Sequence, residues 1–236
     1  MKIPFVTLPA IPALLSITGE YVDAAGFLAL HGLFTSHVTG NFVTLGASFE
    51  QGASDTTAKI LALPLFCIAV FGTRLMRFQL EKSRLPILGT WLTLQFLLMT
   101  IAGILTVRYG PFPDADAIPA IAVGLILVVA MAIQNAFHRI HLSNYPPTTI
   151  MTGTTTQAML DLADLVHGLP AEARPVVTAR VTSLLNGIVA FAIGCGVAAL
   201  VYAYVKERVF IGAPILAALT IGFYIYEKMT KPAQAS

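Results

Sequence analysis

Two short polar stretches carry residue types that could bind a ligand within a membrane. The first is TSHVTGNFVTLG at residues 35–46, and the second is IMTGTTTQAML at residues 150–160; each follows an apolar segment. Helix breaks leave backbone amides free, and these amides, with threonine and asparagine side chains, suit an anionic group on a ligand. The candidate binding residues at the two breaks are Thr39, Gly40, Asn41, Thr152, Gly153 and Thr154.

The two stretches behave as copies of one another. A shift of 113 residues carries Thr39-Gly40-Asn41 onto Thr152-Gly153-Thr154, and each copy lies about 16 residues beyond a polar residue, Asp23 or Asn135. Broken helices at equivalent positions of two halves are typical of transporter binding sites, because the freed backbone groups need protein or water around them. The alternative is that the glycines only permit close helix packing while the threonines bond back to the preceding turn.

Ionisable residues form a stripe within the first apolar segment. At 100° per residue, Glu20, Asp23 and His31 share one helical face. A charge at mid-membrane costs about 2.5–3.5 kcal/mol on insertion scales, so such residues face a protein interior, a partner or water. Asp23 is the deepest acid and our candidate for proton or cation coupling. For Glu20 and His31, which could also serve in coupling, the alternative is a position near the interface from which the side chain snorkels to water.

The fourth apolar segment carries a second polar stripe. Gln134 and Asn135 join Asp23 and the residues of the breaks in the predicted central site, and His138 is a further candidate for ion coupling. Asp161 and Asp164 lie on one face of a later short helix. They indicate either a solvated helix end or a proton relay.

Composition excludes a soluble domain. Of 236 residues, 56% are hydrophobic and 11% are charged, with a mean hydropathy of +0.79, so lipid must solvate the chain. The net charge of +2 is small and has no basic stripe, which excludes nucleic acid as a partner. The two cysteines, Cys67 and Cys195, each lie in an apolar segment, which favours free thiols. A cleaved signal peptide is disfavoured, since the first apolar run has no small-residue cleavage site.

The apolar segments predict an all-α, polytopic helix bundle that forms one domain over residues 1–236. The six predicted spans are residues 9–34, 58–78, 88–107, 117–137, 181–204 and 209–226. Short helices are predicted at residues 38–49 and 148–166, one after each break. Three spans in each half, residues 1–110 and 111–236, mean that the halves enter the membrane from opposite sides, as an inverted repeat.

Charge sets the expected orientation. The loop between the second and third spans is basic, whereas the next loop sets Arg108 against Asp114 and Asp116. The positive-inside rule therefore places both termini in the cytoplasm, although Lys206 and Arg208 then lie outside. The basic residues of the inner loop are Arg74, Arg77, Lys82 and Arg84. The pair Gly194 and Ala198 indicates tight helix contact, within the bundle or across a homodimer.

The sequence GEYVDAAGFLALHGLFTSHVTGNFVTLG, residues 19–46, resembles the signature of the YoaK-type family of small bacterial membrane proteins, which is defined as a domain of unknown function. The Gln134-Asn135-Ala136 and Thr152-Gly153 elements are similar too. Glu20 stands where the resemblance leads us to expect a small residue. The resemblance implies a multi-pass protein of the bacterial inner membrane with about six helices, and it implies no established activity.

Function therefore rests on the residues. Our leading hypothesis is a small-solute or ion transporter or channel whose central polar site lies at the two breaks. The alternative is a membrane scaffold or lipid-binding protein in which polar residues join the helices. No stretch has the spacing of a hydrolase triad, a phosphate loop or a paired metal motif, so we expect no enzyme activity, cofactor or metal. An intramembrane enzyme would need His31 or His138 for catalysis.

Overall fold

The computed structural model describes residues 10–50, 56–83 and 85–230, and within them the chain is helical without strands. This confirms the predicted all-α class. Residues 1–9, residues 51–55, Arg84 and residues 231–236 lie outside the described residues. The elements are α1 (Ala10–Ala29), α2 (Gly40–Glu50), α3 (Thr57–Lys82), α4 (Ile87–Tyr109), α5 (Ile118–His141), α6 (Thr152–His167), α7 (Arg174–Val205), a 3-10 turn (Lys206–Ile211) and α8 (Gly212–Thr230).

Four helical stretches are long and apolar enough to cross a membrane. They are Thr57–Lys82, Ile87–Tyr109, Ile118–His141 and Arg174–Thr230, the last of which comprises α7, the 3-10 turn and α8. The 20-residue helix α1 is long enough but carries Glu20 and Asp23, and it is not among the four. Large apolar side chains are exposed along α3, α7 and α8, as expected of surfaces that contact lipid.

Helix α1, which has the most buried polar residues of the described helices, lies at the centre of the bundle with α5. Helix α1 packs against α5, α7 and α8, and helix α5 packs against α1, α3 and α4. Asp23 and Gln134 are buried on these helices. This placement follows from the cost of polar groups in lipid, which drives them towards a protein interior.

The pattern of contacts between helices is preserved when the two halves of the chain are exchanged. Exchanging α1 to α4 with α5 to α8 carries the contact of α1 with α7 onto that of α5 with α3. The same exchange carries α1 with α8 onto α5 with α4, and α2 with α3 onto α6 with α7. The fold therefore repeats at the level of packing, which supports the internal duplication.

Each short helix is linked to the following long helix by a cationic side chain. Lys59 Nζ on α3 lies 2.8 Å from Ser48 Oγ on α2, and Arg180 Nε on α7 lies 2.5 Å from Asp161 Oδ2 on α6. Ser48 and Asp161 are 113 residues apart, so they occupy equivalent positions. The Arg180 guanidinium holds the pKa of the Asp161 carboxyl below its usual value, because it donates hydrogen bonds to the charged form.

The environment of Asp161 corrects both expectations for this residue. Its side chain is buried and ion-paired, so it is neither a solvated helix end nor a free proton relay. Asp164, on the same helix, is exposed, as expected of a solvated helix end. The exposed Arg180 stabilises the burial of Asp161 because the pair keeps the carboxylate charge compensated.

Helix α1 ends earlier than the sequence predicted. It stops at Ala29 instead of residue 34, because His31 and Gly32 have φ values of 52° and 83° in the left-handed region. The chain reverses there, and residues 30–39, which we call the first connection, run back beside α1. Residues 142–151, between α5 and α6, form the second connection. His31 consequently leaves the helical face that carries Glu20 and Asp23.

Gly194 allows α7 to lie directly against α1. A Cβ atom at this position would stand 2.5 Å from the carbonyl oxygen of Ile17 and 3.0 Å from Cβ of Glu20. Ala198, one turn later, is fully buried. The small-residue pair of α7 is therefore used within the bundle.

We predict that Gly194→Ala destabilises the protein while Gly196→Ala does not. The added methyl group at residue 194 meets backbone on α1, and overpacking of this kind costs about 1–3 kcal/mol. A Cβ at Gly196 meets open space, so that variant is the matched control. Thermal unfolding in detergent should show a midpoint lower by several degrees for Gly194→Ala alone. Equal midpoints for the two variants would contradict the proposed α1–α7 packing.

Candidate functional site

Asp23 binds the first connection with both carboxylate oxygens. Its Oδ1 atom accepts hydrogen bonds from the backbone N–H groups of Thr35 and Ser36, each at 2.6 Å, and from the Thr35 hydroxyl at 3.1 Å. Its Oδ2 atom lies 2.6 Å from His37 Nδ1. One buried carboxylate thus satisfies backbone donors that lipid could not satisfy.

Asn41 fixes the same connection from the start of α2. Its Oδ1 accepts a hydrogen bond from the Phe34 N–H, and its Nδ2 donates to the Phe34 carbonyl, both at 2.8 Å. The amide is buried and both its ends are engaged. Asn41, predicted as a ligand-binding residue, therefore orders the backbone of the first connection.

The second connection is held by neutral groups. Thr149 Oγ1 donates to Asn135 Oδ1 at 2.7 Å on α5, and Ser16 Oγ of α1 donates to the carbonyl of Thr148 at 3.3 Å. Asp23 with His37 and Asn135 with Thr149 are each 14 residues apart. The two halves therefore use equivalent positions to hold their connections, with a charge in the first half only.

Gln134 lies at the centre of the second network. Its Nε2 donates to the Leu15 carbonyl at 2.9 Å and to Thr148 Oγ1 at 3.1 Å, while its Oε1 accepts from Gln95 Nε2 at 2.6 Å. Both glutamines are almost fully buried. The network joins α1, α4, α5 and the second connection.

Both connections contact the same face of α1. At 100° per residue, Ser16, Gly19, Glu20 and Asp23 share that face. A Cβ at Gly19 would lie 3.2 Å from Cγ2 of Thr149, so the second connection rests against α1 at this point. The first connection contacts the helix at Asp23, and Glu20 lies between the two contacts.

Glu20 is the buried acid of this face that lacks a strong partner. It is 1% exposed, and its Oε1 atom has no hydrogen-bond partner among the described residues. Its Oε2 atom lies 3.9 Å from Cys195 Sγ on α7. One ligand atom from each of Glu20, Asp23 and His37 lies within 4.8 Å of the others. We call these three residues the Glu20 cluster, and its chemistry suits a proton or a cation.

Several predicted site residues lie away from this face. His31 is exposed, with Nε2 2.9 Å from the Phe112 carbonyl, and Thr39 is exposed at the start of α2. Thr152 and Gly153 are also exposed. Helix α2 packs on α3 and α6 on α7, and α2 and α6 do not contact each other in the described part of the chain. The segments that approach one another along α1 are the connections, not the Thr-Gly pairs.

Three other predicted residues are packed against neighbouring protein groups. Thr154 donates to the Ile150 carbonyl at 3.2 Å, which is the back-bonding expected if the break serves only packing. Gly40 faces the ring of Phe34, which a Cβ would approach to 2.9 Å. His138 is buried, and its Nε2 has no hydrogen-bond partner among the described residues.

Sequence reasoning missed the partners that complete the two networks. They are Ser16, Gln95, Thr148, Thr149, Cys195 and His37. His37 lies inside the first repeated stretch, where its position three residues before Gly40 was the available signal. Cys195 reaches Glu20 only through the packing of α7, which no local pattern predicts.

Glu20 and Asp23 are buried by the surrounding protein, whereas the side chain of His37 is 31% exposed. A groove of about 610 Å³ lies on the outer surface along α4 and α8, and another of about 660 Å³ covers the start of α6 near Thr152. Neither is lined by Glu20, Asp23 or His37. His37, on the first connection, is therefore the most exposed member of the cluster, and a ligand would reach Glu20 only if the protein around it moved.

Comparison with known proteins gives a family and no relative of known activity. No curated protein and no solved structure matches the chain. One family model, described as Protein of unknown function (DUF1275), matches residues 11–223, which span both halves and include the Glu20 cluster. The match agrees with the resemblance of residues 19–46 to the YoaK-type family. The chain therefore belongs to the DUF1275 family of proteins of unknown function.

Proposed function

We propose that this protein is a small membrane transporter that carries an ion or a small solute past Glu20, with the two connections as gates. One observation carries the proposal: both connections contact the same face of α1, on either side of the buried carboxyl group of Glu20, whose Oε1 atom has no hydrogen-bond partner among the described residues. Membership of the DUF1275 family supplies no activity, so the argument rests on this geometry.

An inverted repeat would bring the two connections to α1 from opposite sides of the membrane. With α1 counted as a span, each half has three crossings, and an odd number reverses the orientation of the second half. The recurrence of helix contacts between the halves supports this arrangement. The first connection would then enter from the outer side and the second from the cytoplasmic side.

The depth of Glu20 fits a central site. Helix α1 has 20 residues, so at about 1.5 Å per residue it is about 30 Å long, the thickness of a bilayer core. Glu20 lies at its midpoint. Asp23 is nearer the end followed by the first connection, and Ser16 is nearer the other end. A substrate at Glu20 would be separated from each side by one connection.

Alternating access would consist of releasing one connection at a time. Hydrogen bonds in membrane proteins are worth about 0.6–2 kcal/mol each, so either network can open at moderate cost. A proton or cation that binds at Asp23 competes for the oxygen that His37 contacts, and this weakens the hold on the first connection. Occupancy of the site is thereby coupled to opening on one side.

A scaffold or lipid-binding role is the second candidate. The hydrogen bonds of Asp23, Asn41 and Gln134 favour it, since they stabilise the fold without any ligand. That role leaves unexplained why Glu20 Oε1 is buried without a hydrogen-bond partner among the described residues. Pairing into a homodimer stays a prediction, because the Gly194–Ala198 pair that suggested it contacts α1 of the same chain.

We expect Glu20→Gln to remove transport without unfolding the protein. Purified protein in liposomes should carry at least one of H⁺, Na⁺, K⁺ or Zn²⁺ faster than empty liposomes, as measured with ion-sensitive dyes inside the vesicles. Glu20→Gln should lower that flux at least tenfold, because it removes the carboxyl group that can bind and release a proton or a cation and keeps the shape. The control is Glu81→Gln, at a surface ion pair with Arg77.

Three outcomes separate the candidates. Flux at the wild-type level in Glu20→Gln would refute the transporter proposal, as would wild-type flux no higher than that of empty liposomes. A scaffold predicts instead that Asp23→Asn lowers the unfolding temperature in detergent. For a transporter, Asp23→Asn should lose flux and fold normally, since its amide oxygen can still accept from Thr35 and Ser36.

We also expect the two halves to have opposite orientations in the bacterial inner membrane, with both termini cytoplasmic. In a variant without Cys67 and Cys195, a cysteine at Asp114 should react with an impermeant maleimide from outside. A cysteine at Glu172 should react only after the membrane is permeabilised. Arg139 and Arg174 flank α6 and favour the cytoplasm for that segment. Labelling of both sites from outside intact cells would rule out the proposed topology.

A further inference from the structure

We propose that Glu20, Asp23 and His37 bind one divalent first-row transition-metal cation, with Cys195 as the fourth ligand. The cation class includes Mn²⁺, Fe²⁺, Co²⁺, Ni²⁺ and Zn²⁺. The proposal names the ion that the transporter would carry or be coupled to, and in that role it rests on the function proposed above.

The ligand atoms lie close to binding distance. Metal bonds to carboxylate oxygen and imidazole nitrogen are about 2.0–2.2 Å long, so two ligands stand at most about 4.4 Å apart. One atom each from Glu20, Asp23 and His37 lies within 4.8 Å of the others, which side-chain rotation brings to binding distance. Cys195 Sγ lies 3.9 Å from Glu20 Oε2, within the span of one Zn–S and one Zn–O bond, but it is not among the atoms that lie within 4.8 Å of one another, so its side chain would have to rotate towards the ion.

Glu20 points to a ligand independently of this spacing. The residue is 1% exposed, and its Oε1 atom has no hydrogen-bond partner among the described residues. A buried carboxyl group is costly in its charged form, and either a proton or a bound cation removes that cost. Two carboxylates, from Glu20 and Asp23, balance the charge of one divalent ion.

The donor set selects against Mg²⁺ and Ca²⁺. Those ions prefer oxygen ligands alone, whereas this cluster contributes an imidazole nitrogen and a thiol beside its two carboxylates. Metal binding would displace the proton shared between His37 Nδ1 and Asp23 Oδ2, which are 2.6 Å apart.

Surrounding groups already orient two of the ligands. Asp23 Oδ1 is fixed by the backbone N–H groups of Thr35 and Ser36, which leaves Oδ2 directed at the cluster. The ring of Phe191 meets that of His37 edge-on, with centroids 5.9 Å apart. Such outer contacts orient metal ligands and raise affinity in known sites.

The test is direct binding of Zn²⁺ and Co²⁺ to the full chain in detergent, purified without a histidine tag and treated with EDTA. Equilibrium dialysis should give one Zn²⁺ per wild-type chain. Glu20→Gln and His37→Gln should each weaken binding at least 100-fold. The matched controls are Glu81→Gln and the exposed His31→Gln, which should bind as the wild type does.

Co²⁺ reports on the ligands themselves. Its visible absorption should indicate a four-coordinate site, with a sulfur-to-metal charge-transfer band that Cys195→Ser removes while one ion still binds. Size-exclusion profiles establish that each variant is folded, and His37→Gln serves if Glu20→Gln does not fold. No saturable binding by the wild type, or equal binding by the cluster variants and their controls, would overturn the inference.

The binding experiment and the flux experiment test the two proposals independently. Zn²⁺ binding that depends on the cluster, without any flux, would refute the transporter and retain the metal site. Flux that Glu20→Gln abolishes, in a protein that binds neither metal, would refute the metal site and retain the transporter.

Discussion

The hydrogen bonds between Asp23 and the first connection are the interaction on which the rest of the first half depends. A chain that reverses inside a membrane exposes backbone N–H groups that lipid cannot satisfy. Asp23 accepts two of them on one oxygen, from Thr35 and Ser36, and lies beside His37 with the other. The first connection is therefore held against α1. Helix α2, which follows it, packs on α3, and Glu20 on α1 is buried.

In the second half, neutral side chains hold the connection against the helices. Asn135 and Thr149 occupy the positions equivalent to Asp23 and His37, and Gln134 adds bonds to α1 and α4. Neutral amides also hold a connection in place, through weaker hydrogen bonds than a carboxylate accepts, and they bind no cation strongly. The repeat therefore provides two comparable sets of structural contacts, whereas the two carboxyl groups and the histidine that suit an ion all lie in the first half.

The sequence predicted best those features that the energetics of a lipid environment determine. Long apolar runs predicted the long helices, with most ends within a few residues, because length and hydropathy decide them. The polar residues Asp23, Asn41 and Gln134 were predicted to lie in a central polar site, and the structure shows that they are buried. Their partners were not predictable, since Gln95 approaches through tertiary packing alone. The end of α1 was misplaced because two left-handed residues interrupt an unbroken apolar pattern.

At Glu20, the close packing of α1 on α7 and the proposed metal ligands depend on the same contact. The resemblance to related sequences leads us to expect a small residue there, and a carboxyl group needs more room between α1 and α7. Gly194 provides it, since a Cβ at that position would stand 3.0 Å from that of Glu20. The same close approach brings Cys195 to within 3.9 Å of the carboxylate. A larger residue at position 194 would separate the helices and move the thiol away from Glu20, so the tight contact that stabilises the bundle also assembles the proposed ligands.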